Sequence, residues 1–189
     1  LSYADYSITN SSAVQVQNNS ANLAQATFTF SDMVSGSTLP EGNYTLTSYA
    51  EDSSIPNHNN NTKTTWFYID KTQPAINTSI NGGWNPPTPP NNTFTDQTTH
   101  TLNFTCNETF PDTAWIDFNG TINSSLANSG TSYWWTLTIP EGTYTYTGYC
   151  NDTAGNLAYT ETRTITIDLT PPNISSVDGG WLPPTPVNN

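Results

Sequence analysis

The chain has 189 residues, of which 33% are apolar and 10% charged, and three Lys and Arg against 15 Asp and Glu give a net charge of -12. A surface this poor in cations cannot neutralise phosphates, which argues against nucleic acid and anionic membrane surfaces as partners. No apolar run is long enough to span a bilayer, so we expect no membrane insertion in this segment. Because the chain begins with Leu1 rather than Met, we expect a removed signal or a piece of a longer protein.

The first third of the chain contains short runs in which apolar residues alternate with polar ones. This alternation predicts two strands within residues 1–18, separated by a Ser/Asn turn, and further strands at 26–30, 43–50 and 65–70. A tight turn at residues 40–42, Pro-Glu-Gly, precedes the strand at 43–50. Strands this short allow a core only in a thin sandwich.

The rest of the chain shows the same pattern with an additional front end. Alternation predicts strands at 102–107, 115–118, 133–139, 143–150 and 162–168. No stretch shows the 3.6-residue periodicity of a helix. Short strands separated by closely spaced turn signals are typical of an antiparallel sandwich.

Two pairs of segments echo each other about 100 residues apart. Residues 70–92 and 168–189 share D-x-T-x-P, G-G-W-x-P-P-T-P and N-N, whereas 39–52 and 139–152 share P-E-G-x-Y-T. This spacing is the length of one small β domain, so it indicates tandem modules.

Cys106, Trp115 and Cys150 follow the Cys…Trp…Cys order of immunoglobulin-like (Ig-like) domains. The D-x-T-P-P run at 168–172 resembles the joints between Ig-like repeats in archaeal and bacterial surface proteins. The chain thus resembles the tandem Ig-like β-sandwich repeats of archaeal or bacterial cell-surface or extracellular filament glycoproteins.

This resemblance implies an all-β fold of two tandem Ig-like antiparallel β-sandwich modules joined by a Pro-rich rigid linker. The implied boundaries are module one at 1–72, module two at 73–169, and a leading strand or linker for the module of the next copy at 170–189. Two features depart from antibody domains. The cysteines are closer together, and the alternation of Ile116 and Phe118 points Trp115 outward, so the wider Ig-like class fits better.

In such a sandwich, Cys106 and Cys150 on facing sheets would pair as a disulfide. Free buried thiols or a metal site are the alternatives, although two cysteines alone make a poor metal site. In module one, Ala50 matches Cys150, and Ala4 or Asp5 matches Cys106, so the fold does not depend on the disulfide.

N-x-S/T sequons are unusually frequent and predict a secreted glycoprotein, because glycans are bulky and solubilising. Chance occurrence in a chain rich in Asn, Ser and Thr is the alternative. The candidate glycosylation sites are Asn10, Asn18, Asn43, Asn60, Asn77, Asn91, Asn103, Asn107, Asn119, Asn123, Asn151 and Asn173.

The repeat also predicts how copies assemble. If Leu1 matches about Leu102, module one lacks the leading element that residues 72–92 supply to module two, and residues 170–189 form such an element with no module behind it. A sandwich that lacks an edge strand leaves backbone groups unpaired. We therefore expect head-to-tail assembly of copies into a fibre, either as separate chains that donate a strand or as one long polypeptide.

The expected module junctions are built from the repeated acidic, Pro and Trp residues. These are Asp70, Pro74, Trp84, Asp168, Pro172 and Trp181. Consecutive prolines favour a rigid spacer with the Trp packed on a neighbouring module, and docking of a Pro-recognising partner is the alternative. We expect no cofactor beyond covalent N-glycans. A Ca²⁺ ion held by junction acids, with Asp178, Glu51 and Asp52 as further ligands, is the alternative.

Catalytic chemistry is not indicated. His58 and His100 are isolated, and Asp112 and Asp117 do not differ from ordinary loop and strand-edge acids. We therefore expect no enzyme, but a structural subunit of a glycosylated extracellular filament or surface appendage. The alternatives are an adhesin or carbohydrate-binding module, in which an outward aromatic such as Trp134 stacks on sugar, and spacers attached to a surface enzyme.

Overall fold

A computed structural model describes residues 2–13, 15–23, 39–52 and 59–172. Outside this part lie the predicted strand at 26–30 and the segment 173–189, together with His58 and the side chain of Asn18. The chain divides into two compact units. One contains residues 1–74 and 151–157, and the other contains 75–150 and 158–189.

The described residues of the first unit form one antiparallel sheet of four strands in the order β2-β1-β3-β4. The strands are β1 (Ser2–Asn10), β2 (Gln15–Leu23), β3 (Gly42–Glu51) and β4 (Asn60–Ile69). β1 and β2 are longer than the strands expected within residues 1–18, but they flank the expected turn.

Alternation places the apolar residues of this sheet on one face, as the sequence predicts. Tyr6, Ile8, Leu39 and Tyr44 are buried there, and Leu46, Phe67 and Ile69 pack against them. The opposite face carries Thr45 and Thr47 from β3, with Trp66 from β4 exposed over 76% of its surface.

The second unit, together with residues 151–157 and as far as residue 172, contains ten strands in two sheets. They are β5 (Trp84–Asn85), β6 (Thr93–Thr95), β7 (Thr99–Thr105), β8 (Pro111–Phe118), β9 (Thr121–Asn123), β10 (Ala127–Ser129), β11 (Ser132–Thr138), β12 (Gly142–Asp152), β13 (Leu157–Tyr159) and β14 (Arg163–Ile167). One sheet has the order β10-β11-β7-β5, and the other has the order β6-β14-β12-β8-β9, with β13 paired to β12.

These orders reproduce the Ig arrangement. With β5, β7, β11 and β10 as strands A, B, E and D, and β8, β12 and β14 as C, F and G, the two sheets are ABED and CFG. The second unit is therefore an Ig-like sandwich, and the all-β class expected from the sequence is confirmed.

The core of this sandwich contains the predicted inward residues. Leu102, Phe104, Ile116, Ile165 and Ile167 are all at most 1% exposed. Cys106 and Cys150 form the predicted disulfide inside the same cluster, with a sequence separation of 44 residues. Trp115 points away from this core and stacks on Tyr149, as the alternation predicts.

The G-G-W-x-P-P-T-P stretch differs from a spacer between modules. Trp84 is 1% exposed and belongs to the core of the second sandwich, and Trp84–Asn85 pairs with β7. Thr88 and Pro89 are also buried. This stretch is therefore part of the sandwich, because the tryptophan fills the space between its two sheets.

The match of Leu1 with Leu102 is corrected by the strand order. β3 and β12 both follow a P-E-G turn, and β1 pairs with β3 where β8 neighbours β12, so β1 occupies the place of β8 and not of β7. Ala4 accordingly lies opposite Ala50 in the same sheet, whereas Cys106 and Cys150 join two sheets. Short alternating strands resemble one another, so sequence phase alone did not distinguish them.

Candidate functional site

Each module ends in a side-chain contact that joins its two sequence echoes. In the first, the Thr72 hydroxyl donates to Glu41 Oε2 at 2.6 Å, and Tyr68 donates to Glu41 Oε1 at 3.3 Å. The carboxylate of Asp70 accepts from the Thr72 amide at 3.1 Å, which closes a local turn. We call this trio of Glu41, Asp70 and Thr72 the first exit hook.

The second module repeats the arrangement with the matching residues. Thr170 donates its hydroxyl to Glu141 Oε1 at 2.8 Å, and its amide donates to Asp168 Oδ1 at 3.0 Å. Glu141, Asp168 and Thr170 form the second exit hook. Two of the predicted junction residues, Asp70 and Asp168, therefore form the same local turn after the last strand of each module.

The first hook affects the ionisation of Glu41. The hydrogen bond from Thr72 is the main reason why the pKa of Glu41 lies below its usual 4.5, since a bond donated to the carboxylate favours the charged form. At neutral pH the hook therefore contains an ionised Glu41.

A third repeated contact was missed by the sequence reasoning. Asp152 accepts from the backbone amides of Ala154 and Asn156, each at 2.9 Å, and from Asn156 Nδ2 at 2.8 Å. Asp52 accepts in the same way from the amide and side chain of Asn59 at 3.0 and 2.9 Å. The available signal was an Asp at the end of each Y-x-x-D echo, followed by an Asn across a loop.

These bonds account for the ionisation of Asp152. Burial alone would raise its pKa, but hydrogen bonds from Asn156 and from the backbone amides of 154–156 outweigh that effect and lower it. The carboxylate therefore serves to close the β12–β13 loop.

The leading element of the second sandwich is held in a groove whose centre is Arg163, which is 2% exposed. Its guanidinium donates to Pro89 O at 2.8 Å, Asn81 O at 2.5 Å and Asn81 Oδ1 at 2.8 Å. Its Nε donates to Glu161 Oε1 at 2.7 Å, which balances the buried charge. We call the surface of Asn103, Tyr146, Glu161 and Arg163 the Arg163 groove.

The other groove residues also bind the backbone or fixed polar groups of the leading element. Tyr146 donates its hydroxyl to Pro89 O at 2.9 Å, and Trp84 Nε1 donates to Glu161 O at 2.9 Å. Thr88 Oγ1 accepts from Asn103 N at 2.7 Å and donates to Asn103 O at 3.1 Å. Burial raises the pKa of Tyr146 to about 12, with Arg163 acting in the opposite direction.

The turn before Trp84 favours its two glycines. Gly82 and Gly83 have φ of +60° and +89°, and a Cβ on Gly82 would lie 2.0 Å from Glu161 Cδ. A Cβ on Gly83 would lie 2.6 Å from Ile76 Cγ2. G-G-W is therefore the sequence that lets the backbone approach β14 while the indole enters the core.

The sequon asparagines fall into two groups by exposure. Asn10, Asn103, Asn123 and Asn151 are half-buried, and Asn103 accepts from Ser132 Oγ at 3.0 Å in the middle of a sheet face. The exposed sites are Asn43, Asn60, Asn77, Asn91, Asn107 and Asn119. Asn18 and Asn173 have no described side chain.

Aromatic rings also occupy an outer face of the second sandwich. Trp115 stacks on Tyr149 with centroids 5.4 Å apart, and Tyr149 lies 6.1 Å from Tyr159. Tyr159 is 61% exposed. Trp134 is half-buried on the face opposite to Trp135, which packs against the core.

The remaining candidate acids and histidine have local roles. Asp117 caps a turn by accepting from the Gly120 amide at 2.8 Å, and His100 Nε2 lies 2.9 Å from Gln97 O. Within the described ranges, no three His, Cys, Asp or Glu side chains come together as metal ligands would. Pro74 is buried and Pro172 exposed, whereas Trp181 and Asp178 lie beyond the described part.

Among the described residues, no helix has the length and apolar character needed to cross a bilayer.

Several solved structures are similar to the chain. Fibronectin(III)-like modules of Clostridium thermocellum CbhA match with a TM-score of 0.46 and 11% identity, over 86% of this chain and 77% of that one. A chimeric titin Z1Z2-Z1Z2 tandem matches with a TM-score of 0.38 and 10% identity, over 87% and 83%. Bacteroides ovatus SGBP-B, in complex with a mixed-linkage heptasaccharide, matches with a TM-score of 0.24 and 12% identity, over 88% and 60%.

No protein-family model matches the chain, and no curated protein matches it by sequence. The fold of the second unit is defined by its own strand order. By that order, the second unit is an Ig-like β-sandwich in which residues 75–95 contain the leading strands, and the disulfide joins Cys106, directly after β7, to Cys150 in β12.

Proposed function

We propose that the chain is a structural subunit or repeat segment of a glycosylated extracellular filament or surface appendage, of the archaeal or bacterial kind that the sequence resembles. Its partners are copies of itself, arranged head to tail. The C-terminal segment 170–189 of one unit completes a β-sandwich of its neighbour. The only groups added to the chain are covalent N-glycans.

The exit hooks are the observation that carries this proposal. Glu41 with Thr72 and Glu141 with Thr170 make the same bond, at 2.6 and 2.8 Å, where the last strand of each module ends. Each hook ties that end to the turn before β3 or β12. The same contact at the end of each module suits a serial array, because every module is then followed by the next in the same way.

The leading element of the second sandwich supports the assembly step. This sandwich takes its core Trp84 from a segment that precedes its other strands, and the segment makes its own hydrogen bonds to Arg163, Tyr146 and Asn103. The chain carries nearly the same sequence again at 179–186, where Leu182 replaces Asn85. Strand donation requires a segment that can complete the core of another copy, and this second segment has the sequence to do so.

The extracellular location is supported by two features. The Cys106–Cys150 disulfide is buried in the core, and disulfides persist in oxidising compartments. The exposed sequons supply bulky polar groups for a surface that has few charges.

Electron microscopy of the native, glycosylated material tests this function, combined with its intact mass after denaturation. We expect unbranched filaments with a repeat set by one chain. A denatured mass near the 20.6 kDa peptide plus glycan identifies separate subunits, and a many-fold larger mass identifies one long polypeptide. Uniform single particles in the native material would contradict the proposal.

The second candidate function is an adhesin or carbohydrate-binding module. It is favoured by the outward rings of Trp115, Tyr149 and Tyr159, since aromatic faces of this kind pack on the apolar faces of sugars. Glycan-array binding that is lost in Tyr159→Ala but kept in the matched variant Phe94→Ala would favour it. Phe94 is a suitable control because it is exposed over 76% of its surface and lies on a different strand.

A further inference from the structure

The Arg163 groove binds groups that a particular short sequence supplies. The C-terminal segment contains a similar sequence, which points to the groove as its binding site. The groove binds backbone carbonyls, a Thr hydroxyl and one indole, and the turn that presents them contains two glycines at positive φ. All of these features reside in residues 81–89.

The segment 178–189 retains the groups that the groove binds. Gly179, Gly180 and Trp181 correspond to Gly82, Gly83 and Trp84, while Thr185 and Pro186 correspond to Thr88 and Pro89. Asp178 stands where Asn81 accepts from Arg163 through Oδ1 at 2.8 Å. A carboxylate at this position would make a charge-assisted bond to Arg163, stronger than the one made by the amide, although it could not donate as Asn81 Nδ2 does to Trp84 O at 2.9 Å.

The described sheet of the first unit does not offer the matching receptor. Tyr146 pairs with Arg163 across β12 and β14, and the equivalent pair across β3 and β4 is Leu46 with Thr65. Leu46 and Thr65 cannot supply the phenol and guanidinium hydrogens that bind the Pro89 and Asn81 carbonyls. Buried carbonyls left without donors would oppose docking there.

We infer that residues 178–189 are a ligand for the Arg163 groove, so that the segment docks on the second sandwich of another copy and not on the sheet of its first unit. This inference depends on the proposed function, which supplies the head-to-tail partner. Docking requires exchange with residues 81–92 of the receiving copy, as in domain swapping. Residues 81–92 are part of the receiving chain, so they compete with the incoming segment at an effective concentration of about millimolar. Exchange therefore requires a high local concentration of copies or a weakened resident segment.

A refolding experiment with peptides tests the inference. The receptor is the full chain with residues 81–89 replaced by a Gly/Ser linker of equal length and with Trp181→Ala, so that neither copy of the sequence can fill the groove. The ligands are synthetic peptides of residues 78–92, as the resident control, and 175–189. We expect both to restore the refolded fraction, with Kd values within about tenfold of each other.

Three matched changes locate the binding. Trp181→Ala in the 175–189 peptide should abolish the rescue, and Asp178→Asn should weaken it. Arg163→Met in the receptor should weaken both peptides by at least about tenfold, whereas Thr65→Ala on the first sandwich should change neither. Thr65 is exposed, so its truncation should leave the fold intact.

Rescue by neither peptide, or by the resident peptide alone, would overturn the inference. Rescue by 175–189 that survives Arg163→Met would also overturn it, because the peptide would then bind elsewhere. Filaments in the native material combined with either result would leave the proposed function standing without this inference. Rescue by both peptides without filaments in the native material would support this inference and contradict the proposed function.

Discussion

Thr72 and Glu41 are 31 residues apart in sequence, and a hydrogen bond of 2.6 Å joins them at the end of the first module. Thr170 and Glu141 make the same bond at the end of the second. The two most visible sequence echoes, P-E-G and D-x-T-x-P, are therefore the two halves of one repeated contact. This relationship explains why both recur with nearly the same spacing.

Removal of the Thr72 hydroxyl should change the titration of Glu41. In Thr72→Val, the pKa of Glu41 should rise towards its ordinary value of 4.5, because the bond that favours the carboxylate is lost. The lowered pKa means that the hook stabilises the fold above pH 4.5, and that this contribution is lost as pH falls through the folded pKa. A carboxyl-resolved NMR titration measures the shift, with Thr65→Val as the exposed control. An unchanged Glu41 titration in Thr72→Val would show that the hook is not formed in solution.

Alkaline pH should destabilise the second sandwich through Tyr146. Burial raises the pKa of this phenol to about 12, so the fold favours the neutral form. Stability from this group is complete below the unfolded pKa of about 10 and falls as pH rises towards about 12. Denaturant unfolding across this pH range should show a decline in the free energy of unfolding. The decline should be smaller in Tyr146→Phe and unchanged in the control Tyr144→Phe. An equally steep decline in Tyr146→Phe would assign the effect to another group.

Loss of the Cys106–Cys150 disulfide should weaken the second sandwich without abolishing its fold. The bond closes a loop with a separation of 44 residues, for which chain entropy predicts a loss of about 4 kcal/mol in the free energy of unfolding. Chemical denaturation of the double variant Cys106→Ser/Cys150→Ser, compared with the parent chain, measures it. Equal unfolding midpoints for the two proteins would contradict the predicted contribution.

Glycan occupancy should follow the exposure of each asparagine. Asn43 and Asn119 are exposed, whereas Asn103 is half-buried and its side-chain oxygen accepts from Ser132. After expression in a glycosylating host, Asn43→Gln and Asn119→Gln should each reduce the intact mass by one glycan. Asn103→Gln should leave the number of glycans unchanged, and a loss of one glycan there would show that exposure does not set occupancy.

Much of the fold could be predicted from alternation alone. Ile116 and Phe118 were placed in the core and Trp115 outside it, because successive side chains of a strand point to opposite faces. The disulfide followed from the resemblance to Ig-like domains. The short strands β9 and β10 were not predicted, since three residues are too few to show a period.

The candidate site was less predictable because its contacts join residues that are distant in sequence. Glu161 and Arg163 read as ordinary charged residues near the end of a module, yet they hold Trp84 and Asn81 from about 80 positions earlier. Prolines around Trp84 favoured an extended spacer, and only the position of the indole between two sheets shows that the segment belongs to the core. The match of Leu1 with Leu102 failed because β7 and β8 have the same polar-apolar alternation, so only pairing with β12 separates them.

The most direct test of the assembly account is the mass of the full chain in solution, measured by light scattering over a range of concentrations. In Trp84→Ala, the resident segment loses its anchor at a cost of about 3 to 5 kcal/mol, which opens the Arg163 groove to the C-terminal segment of another copy. The account predicts that Trp84→Ala forms oligomers that grow with concentration, and that Trp84→Ala/Trp181→Ala remains a single chain under the same conditions. The double variant has the same core defect, so equal masses for the two proteins would contradict the account.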